Sequence, residues 1–294
     1  MAGRTSITAN VALSAAAQLG EGPVWDERSN RLIWVDIIGQ AVHVFDPSSG
    51  ADRSIDVPGT PGIAIPRRSG GLVLAVGHGF GVLDDAGAFE PVAALVQGEV
   101  VARMNDGNCD SAGRFWAGTA GLNAEPQAGV LYRLDPDLTV NRMLEGVTES
   151  NGIDWSPDDR LMYYVDTMQR RVDVFDFDLD SGSISNRRAF AAVDDGEVLP
   201  DGLTVDAEGY VWVACWGGSA VRRFAPDGSP AGAVALPTPN ITSPVFGGPA
   251  LDRMFITSAR EGLTDEQLAA DSLAGALFAC DPGVTGRPQR TFAG

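Results

Sequence analysis

Short apolar runs with a period of two dominate the chain, as in Leu32-Ile33-Trp34-Val35, Leu72-Val73-Leu74-Ala75-Val76 and Val211-Trp212-Val213-Ala214. Such runs read as short strands with buried faces. Turn clusters (DPSSG, SPDD, DAEG, APDG) separate them at intervals of roughly eight to twelve residues. One segment, TDEQLAADSLA from Thr264, has a helical pattern and predicts a short helix. The pattern is all-β.

The strands also repeat in sets. Position 21 superposes on 151 without a gap: Gly22 falls on Gly152, Trp25 on Trp155, Val35-Asp36 on Val165-Asp166, and Val44-Phe45-Asp46 on Val174-Phe175-Asp176. Asn105 superposes on Asp201, bringing Asp110, Gly113 and Trp116 onto Asp206, Gly209 and Trp212. Asn151 superposes on Asp201, with Gly152 on Gly202 and Ile153 on Leu203. Weaker echoes begin near Pro61 and Ser243, so the starts are 21, 61, 105, 151, 201 and 243. Repeats of that length, with about four short strands each, are propeller blades that cannot bury their faces alone. The expectation is a single domain over residues 1–294, a six-bladed β-propeller. Residues Ser6–Leu13 would supply the outer strand that completes the last blade.

Inner strands of a propeller line its central channel, so equivalent positions converge on one axis. Four of the starts carry side-chain oxygen: Glu21, Asn105, Asn151 and Asp201. Two carboxylates and two amides without His or Cys make a hard oxygen site, suited to Ca²⁺, Mg²⁺ or Mn²⁺. The bland alternative is that each side chain caps a loop of its own blade. Arg103 and Asn105 lie two apart and would share one face of a strand. The alternative for Arg103 is an ion pair with Glu99 or Asp106. Asp154 is a candidate to back the site, and Trp216 a candidate wall. Asp176, Asp178 and Asp180 resemble the start of a calcium loop, but the alternating Phe175, Phe177 and Leu179 favour a strand. Asp158-Asp159 reads as a hairpin turn.

Bulk properties narrow the classes. Thirty-nine acids against 21 bases give a net charge of −18, which repels nucleic acid phosphates and anionic lipid. No stretch is apolar enough to span a bilayer, and the N-terminal run lacks a continuous signal-peptide core. Cys109, Cys215 and Cys280 form no CxxC pair, which points to buried thiols in a reducing, cytoplasmic compartment. With only His43 and His78 present, His-based triads and HExxH zinc chemistry are disfavoured. No obligatory protein partner is evident.

LGEGPVWD at Leu19, RMNDGNCDSAGRFWAGT at Arg103, SNGIDWSPD at Ser150 and PDGLTVDAEGYVWVACWGG at Pro200 together resemble the SMP-30/gluconolactonase/LRE family. The stretch from Pro239 to Phe278 is similar to its bacterial lactonase branch. The resemblance covers nearly the whole chain. It implies a six-bladed propeller holding one divalent cation on Glu21, Asn151 and Asp201, with Arg103 and Asn105 contacting substrate. Ca²⁺ is the first expectation, and Zn²⁺, Mn²⁺, Mg²⁺ and Fe²⁺ are compatible. Asp201 is implied as catalytic base; the residues leave open whether it acts as ligand, base or both. Some members carry a substrate-contacting Glu where Asn123 stands here, and Glu125 is two positions on. The implied reaction is metal-dependent hydrolysis of a sugar-acid lactone. The rivals are a non-catalytic Ca²⁺-binding propeller and a hydrolase of other lactones or phosphotriesters.

Overall fold

A computed structural model describes residues 7–95, 102–123, 125–193 and 195–294. Its strands form six sheets, one per repeat, antiparallel except for one parallel edge strand. The innermost strands are Gly20–Asp26, Pro61–Pro66, Ala102–Cys109, Ser150–Trp155, Leu199–Val205 and Ile241–Gly247, which begin blades 1 to 6 in order. Each expected start falls in one of them. The helix at Thr264 is shorter than its pattern: it spans Asp265–Ala270, with Thr264 and Gln267 forming a capping box.

Apolar packing closes the ring. Six core clusters bridge neighbouring blades. One joins Trp116 of blade 3 to Trp155 of blade 4. Another joins Val245 and Phe255 of blade 6 to Trp25 and Trp34 of blade 1. Cys109 is buried in the layer between blades 2 and 3, and all three cysteines are buried and unpaired.

The shared Asp and Trp of the repeats have a structural cause. Asp110 takes the backbone N–H groups of Ala112 and Arg114 on one oxygen and the Trp116 indole N–H, at 2.9 Å, on the other. Asp206 holds Glu208, Tyr210 and Trp212 in the same way. A tight turn and a core Trp are fixed by one carboxylate. Asp176 and Asp178 lie on the strand Arg171–Asp178, as the alternation implied.

Both chain ends work on the ring. Asn10–Leu13 pairs with Leu277–Cys280 and completes blade 6, as expected, whereas Ile7–Thr8 pairs in parallel with blade 5. Ser6 lies outside the described residues. The segment after Cys280 crosses the channel end opposite the strand starts. It bonds to all six blades in turns after the inner strands or at the strands' ends, at Leu251, Ala207, Trp155, Glu27, Gly113 and Pro66. Phe292 is fully buried there. Among the described residues no helix is long and apolar enough to cross a membrane.

Candidate functional site

Every inner strand slips register against its neighbour near its start, at 21/24, 61/63, 104/107, 150/153, 200/203 and 241/244. A bulge releases residues from the ladder and re-aims their side chains. Asn105, Asn151 and Asp201 fall inside the slipped segments and Glu21 at the edge of one. The glycine after each of two of them is sterically required. A Cβ on Gly152 would lie 2.4 Å from the Leu203 nitrogen, and one on Gly202 would lie 2.2 Å from Ser243 Oγ.

The repeated Val-Asp pair pins these bulges. Asp36 accepts the N–H groups of Gln18 and Leu19. Its equivalent, Asp166, accepts those of Thr148 and Glu149. One acid per blade therefore fixes the chain just before Glu21 and just before Asn151.

Glu21, Asn151, Asp201, Arg103, Asn105 and Asn123 all line one cavity of about 380 Å³ at the open end of the channel. That is near the small end of ligand clefts, roughly 300–1,000 Å³. Glu21, Asn151 and Asp201 are buried. The orientation of the Asn151 amide follows from its neighbours. Thr167 donates its hydroxyl to Pro200 O at 3.0 Å, so it accepts from Asn151 Nδ2, also at 3.0 Å. Among the described residues Asn151 Oδ1 is left without a partner, and so is Asp201 Oδ1. A buried oxygen with no donor is costly. Two from adjacent blades, lining one cavity with the Glu21 carboxylate, fit a hard divalent cation. Among the described residues no three His, Cys, Asp or Glu side chains gather as a metal cluster. The donor set is instead two carboxylates and one amide.

Asn105 differs from this set. Its Oδ1 accepts from Arg103 Nη1 at 2.6 Å and its Nδ2 donates to Ser150 O at 2.7 Å. Its amide is committed to holding Arg103, whose other partner is Met104 O. Of the two ion-pair partners weighed for Arg103, Asp106 instead bonds the Gly107 N–H, and Glu99 lies outside the described residues. Asn123 lines the cavity and Glu125 stands behind it, accepting from Asn123 N and Nδ2 at 3.0 and 2.8 Å.

Burial raises the proton affinity of Glu21, and the nearby Asp106 adds to it. Burial, then Glu21 and Glu149, hold Asp201 well above the ordinary carboxylate range. Glu149 is raised by burial against an opposing pull from Arg103.

One expectation fails. Asp154 does not back the cavity. Its Oδ1 accepts from Trp155 N and from Arg287 and Arg290, and its Oδ2 accepts from Val205 N. Three residues past Asn151 and beyond the bulge, it turns to the C-terminal tail. Trp216 does form part of the wall.

Glu149, Leu19, Leu199 and Glu261 also line the cavity and were not anticipated. The repeat contained the signal for three of them. Positions 19, 103, 149 and 199 each stand two residues before a polar start. They form an upper layer of Leu, Arg, Glu and Leu above Glu21, Asn105, Asn151 and Asp201.

Comparison with known proteins places these features in a family context. The model of the SMP-30/Gluconolactonase/LRE-like region matches residues 19–260. Regucalcin from Danio rerio is 37% identical over 294 residues, covering 99% of this chain and 100% of that protein. A Bacillus subtilis (strain 168) protein with the provisional name sugar lactone lactonase YvrE is 34% identical over 282 residues, covering 95% of this chain and 96% of that one. A crystal structure of a calcium-binding regucalcin from Agrobacterium tumefaciens superposes with a TM-score of 0.94 at 29% identity, over 99% of each chain.

Proposed function

Because the chain belongs to the SMP-30/gluconolactonase/LRE-like family, we propose that it hydrolyses a sugar-acid lactone to the open-chain aldonic acid, using one divalent cation held by Glu21, Asn151 and Asp201. The observation that carries this reading is the pair of unpartnered buried oxygens, Asn151 Oδ1 and Asp201 Oδ1, in a cavity shared with Arg103. A site built only to store a cation gains nothing from a guanidinium beside it.

When bound, the cation supplies Lewis-acid polarisation of the lactone carbonyl and acidification of water. The residues do the rest. Two carboxylates balance the charge of M²⁺, and the neutral amide of Asn151 preserves its acidity better than a third carboxylate would. Arg103, held by Asn105, donates to the lactone or ring oxygens and fixes their orientation. Asn123 is aimed by Glu125 and donates or accepts at the ring's edge. Asp201 is assigned the proton of the attacking water. Its burial strengthens it as a base, while coordination weakens it. Water oxygen bonds to the carbonyl carbon, the ring C–O bond breaks, and the freed ring oxygen takes up a proton as the new hydroxyl.

The test is acid release from a panel of aldono-1,4- and 1,5-lactones, after EDTA treatment and with Ca²⁺, Mn²⁺, Mg²⁺, Zn²⁺ or Fe²⁺ restored. Release lost with EDTA and recovered with at least one metal is expected. No release from any lactone with any metal, alongside retained Ca²⁺ binding, would replace this reading with that of a non-catalytic calcium-binding propeller.

A further inference from the structure

The upper layer of the cavity is chemically lopsided. Of its members at positions 19, 103, 149 and 199, only Arg103 and Glu149 are charged, and they come from adjacent blades 3 and 4. Leu19 and Leu199 make the other side of the layer apolar. Arg103 presents donors, with its position set by Asn105 and Met104. The Glu149 backbone is anchored by Asp166, which accepts its N–H at 3.1 Å, and by Thr167, whose N–H bonds its carbonyl at 3.0 Å. The half-buried Glu149 carboxylate lines the cavity and makes no hydrogen bond or ion pair among the described residues. A carboxylate held there without a protein partner is an acceptor for something in the cavity.

We infer that Glu149 determines specificity, accepting hydrogen bonds from the hydroxyls of a neutral lactone ring and rejecting lactones that carry a carboxylate or phosphate. The inference rests on the lactonase reading and names its substrate class. Two physical effects converge on it. A ring hydroxyl placed between Arg103 and Glu149 meets a donor on one side and an acceptor on the other, matching its own dual capacity. An anionic substituent placed there is attracted by Arg103 and repelled by Glu149, so the charge of the whole cavity decides. Four carboxylates (Glu21, Glu149, Asp201 and Glu261) and one guanidinium line the cavity, so even a bound divalent cation leaves it net negative. The chain's net charge of −18 acts in the same direction at longer range. Discrimination of this kind works by building repulsion against the wrong partner as well as attraction to the right one.

Two variants test it. Glu149→Gln keeps shape and removes charge. Glu149→Leu installs the residue already found at the equivalent positions 19 and 199, so the blade should accept it. Each is compared with the wild-type protein in two measurements on Ca²⁺-loaded protein. The first is kcat/KM for neutral aldonolactones against lactones of the same ring size bearing a terminal carboxylate or phosphate. The second is calorimetric binding of 1,5-anhydroglucitol, a neutral ring that cannot react. Wild-type protein should favour neutral lactones at least 100-fold, and Glu149→Gln should narrow that ratio at least tenfold. Glu149→Leu should weaken binding of the neutral ring at least fivefold. A neutral-to-anionic ratio unchanged by Glu149→Gln overturns the inference, as does unchanged binding in Glu149→Leu or wild-type protein that does not bind the ring. If the ring binds through Glu149 but no lactone is hydrolysed, it is the lactonase reading that fails, while Glu149 stands as the hydroxyl acceptor.

Discussion

The two ends of the channel use the same inner strands to opposite effect. At the far end Asp154 is buried, yet both its oxygens are occupied by two backbone N–H groups and by Arg287 and Arg290. At the open end Asn151 and Asp201 are equally buried, and each keeps one oxygen without a donor. The fold is able to satisfy a buried carboxylate on these strands. The unsatisfied pair at the other end is what supports placing a ligand there.

The largest expected break in this contrast is Asp201→Asn. It removes one carboxylate and the assigned proton acceptor, so kcat/KM should fall at least ~10³-fold, about 4 kcal/mol. The rise in melting temperature on adding Ca²⁺ should vanish with it, and near-normal lactone hydrolysis by this variant would remove the central residue. Asp154→Ala tests the other end. It removes the carboxylate that Arg287 and Arg290 share, leaving Arg287 to backbone carbonyls and Arg290 to Asp159, and breaking a buried pair typically costs about 3 kcal/mol. Urea unfolding should register that loss, while the cation-induced shift in melting temperature persists. An equal loss of both would mean that the two ends are one unit.

Proton linkage separates the ends more gently. Glu21 rises from 4.5 to about 8 through burial and then Asp106, and Asp201 is raised as well. The folded, metal-free chain thus holds protons that the unfolded chain releases. Their stabilising contribution is complete below about pH 4.5 and is lost as pH climbs through the folded values. The melting temperature of EDTA-treated protein should fall between pH 5 and 8, and the Ca²⁺-induced increase should grow over the same interval. A flat Ca²⁺ response across that range would argue against carboxylate ligands. The smallest effect belongs to the rim: Asn123→Ala should raise KM severalfold with little change in kcat, and Glu125→Gln should reproduce part of that increase.

How much of this was legible depended on whether a residue took part in the repeat. Glu21, Asn151 and Asp201 could be superposed, so their convergence followed from blade geometry before any coordinates. Asp110 and Asp206 were visible for the same reason. Glu149 obeys the period, but its equivalents are Leu19, Arg103 and Leu199. Similarity of type could not reveal it; only position could. Asp154 was misread because sharing a strand with Asn151 suggested sharing its site, whereas the bulge between them sends the two side chains to different ends. The tail carrying Arg287 and Arg290 has no period at all. Its role appears only when its contacts with all six blades are traced.

That tail, with the N-terminal strand beside Leu277–Cys280, makes ring closure depend on contacts between segments far apart in sequence. The outermost strand of the sixth blade precedes Glu21, while the strand it pairs with follows the whole of the first five blades. The tail ties turns of all six blades together, so the distance from Glu21 to Asp201 is set by the closed circuit. The cavity is thus a property of the closed ring, and no single blade carries it.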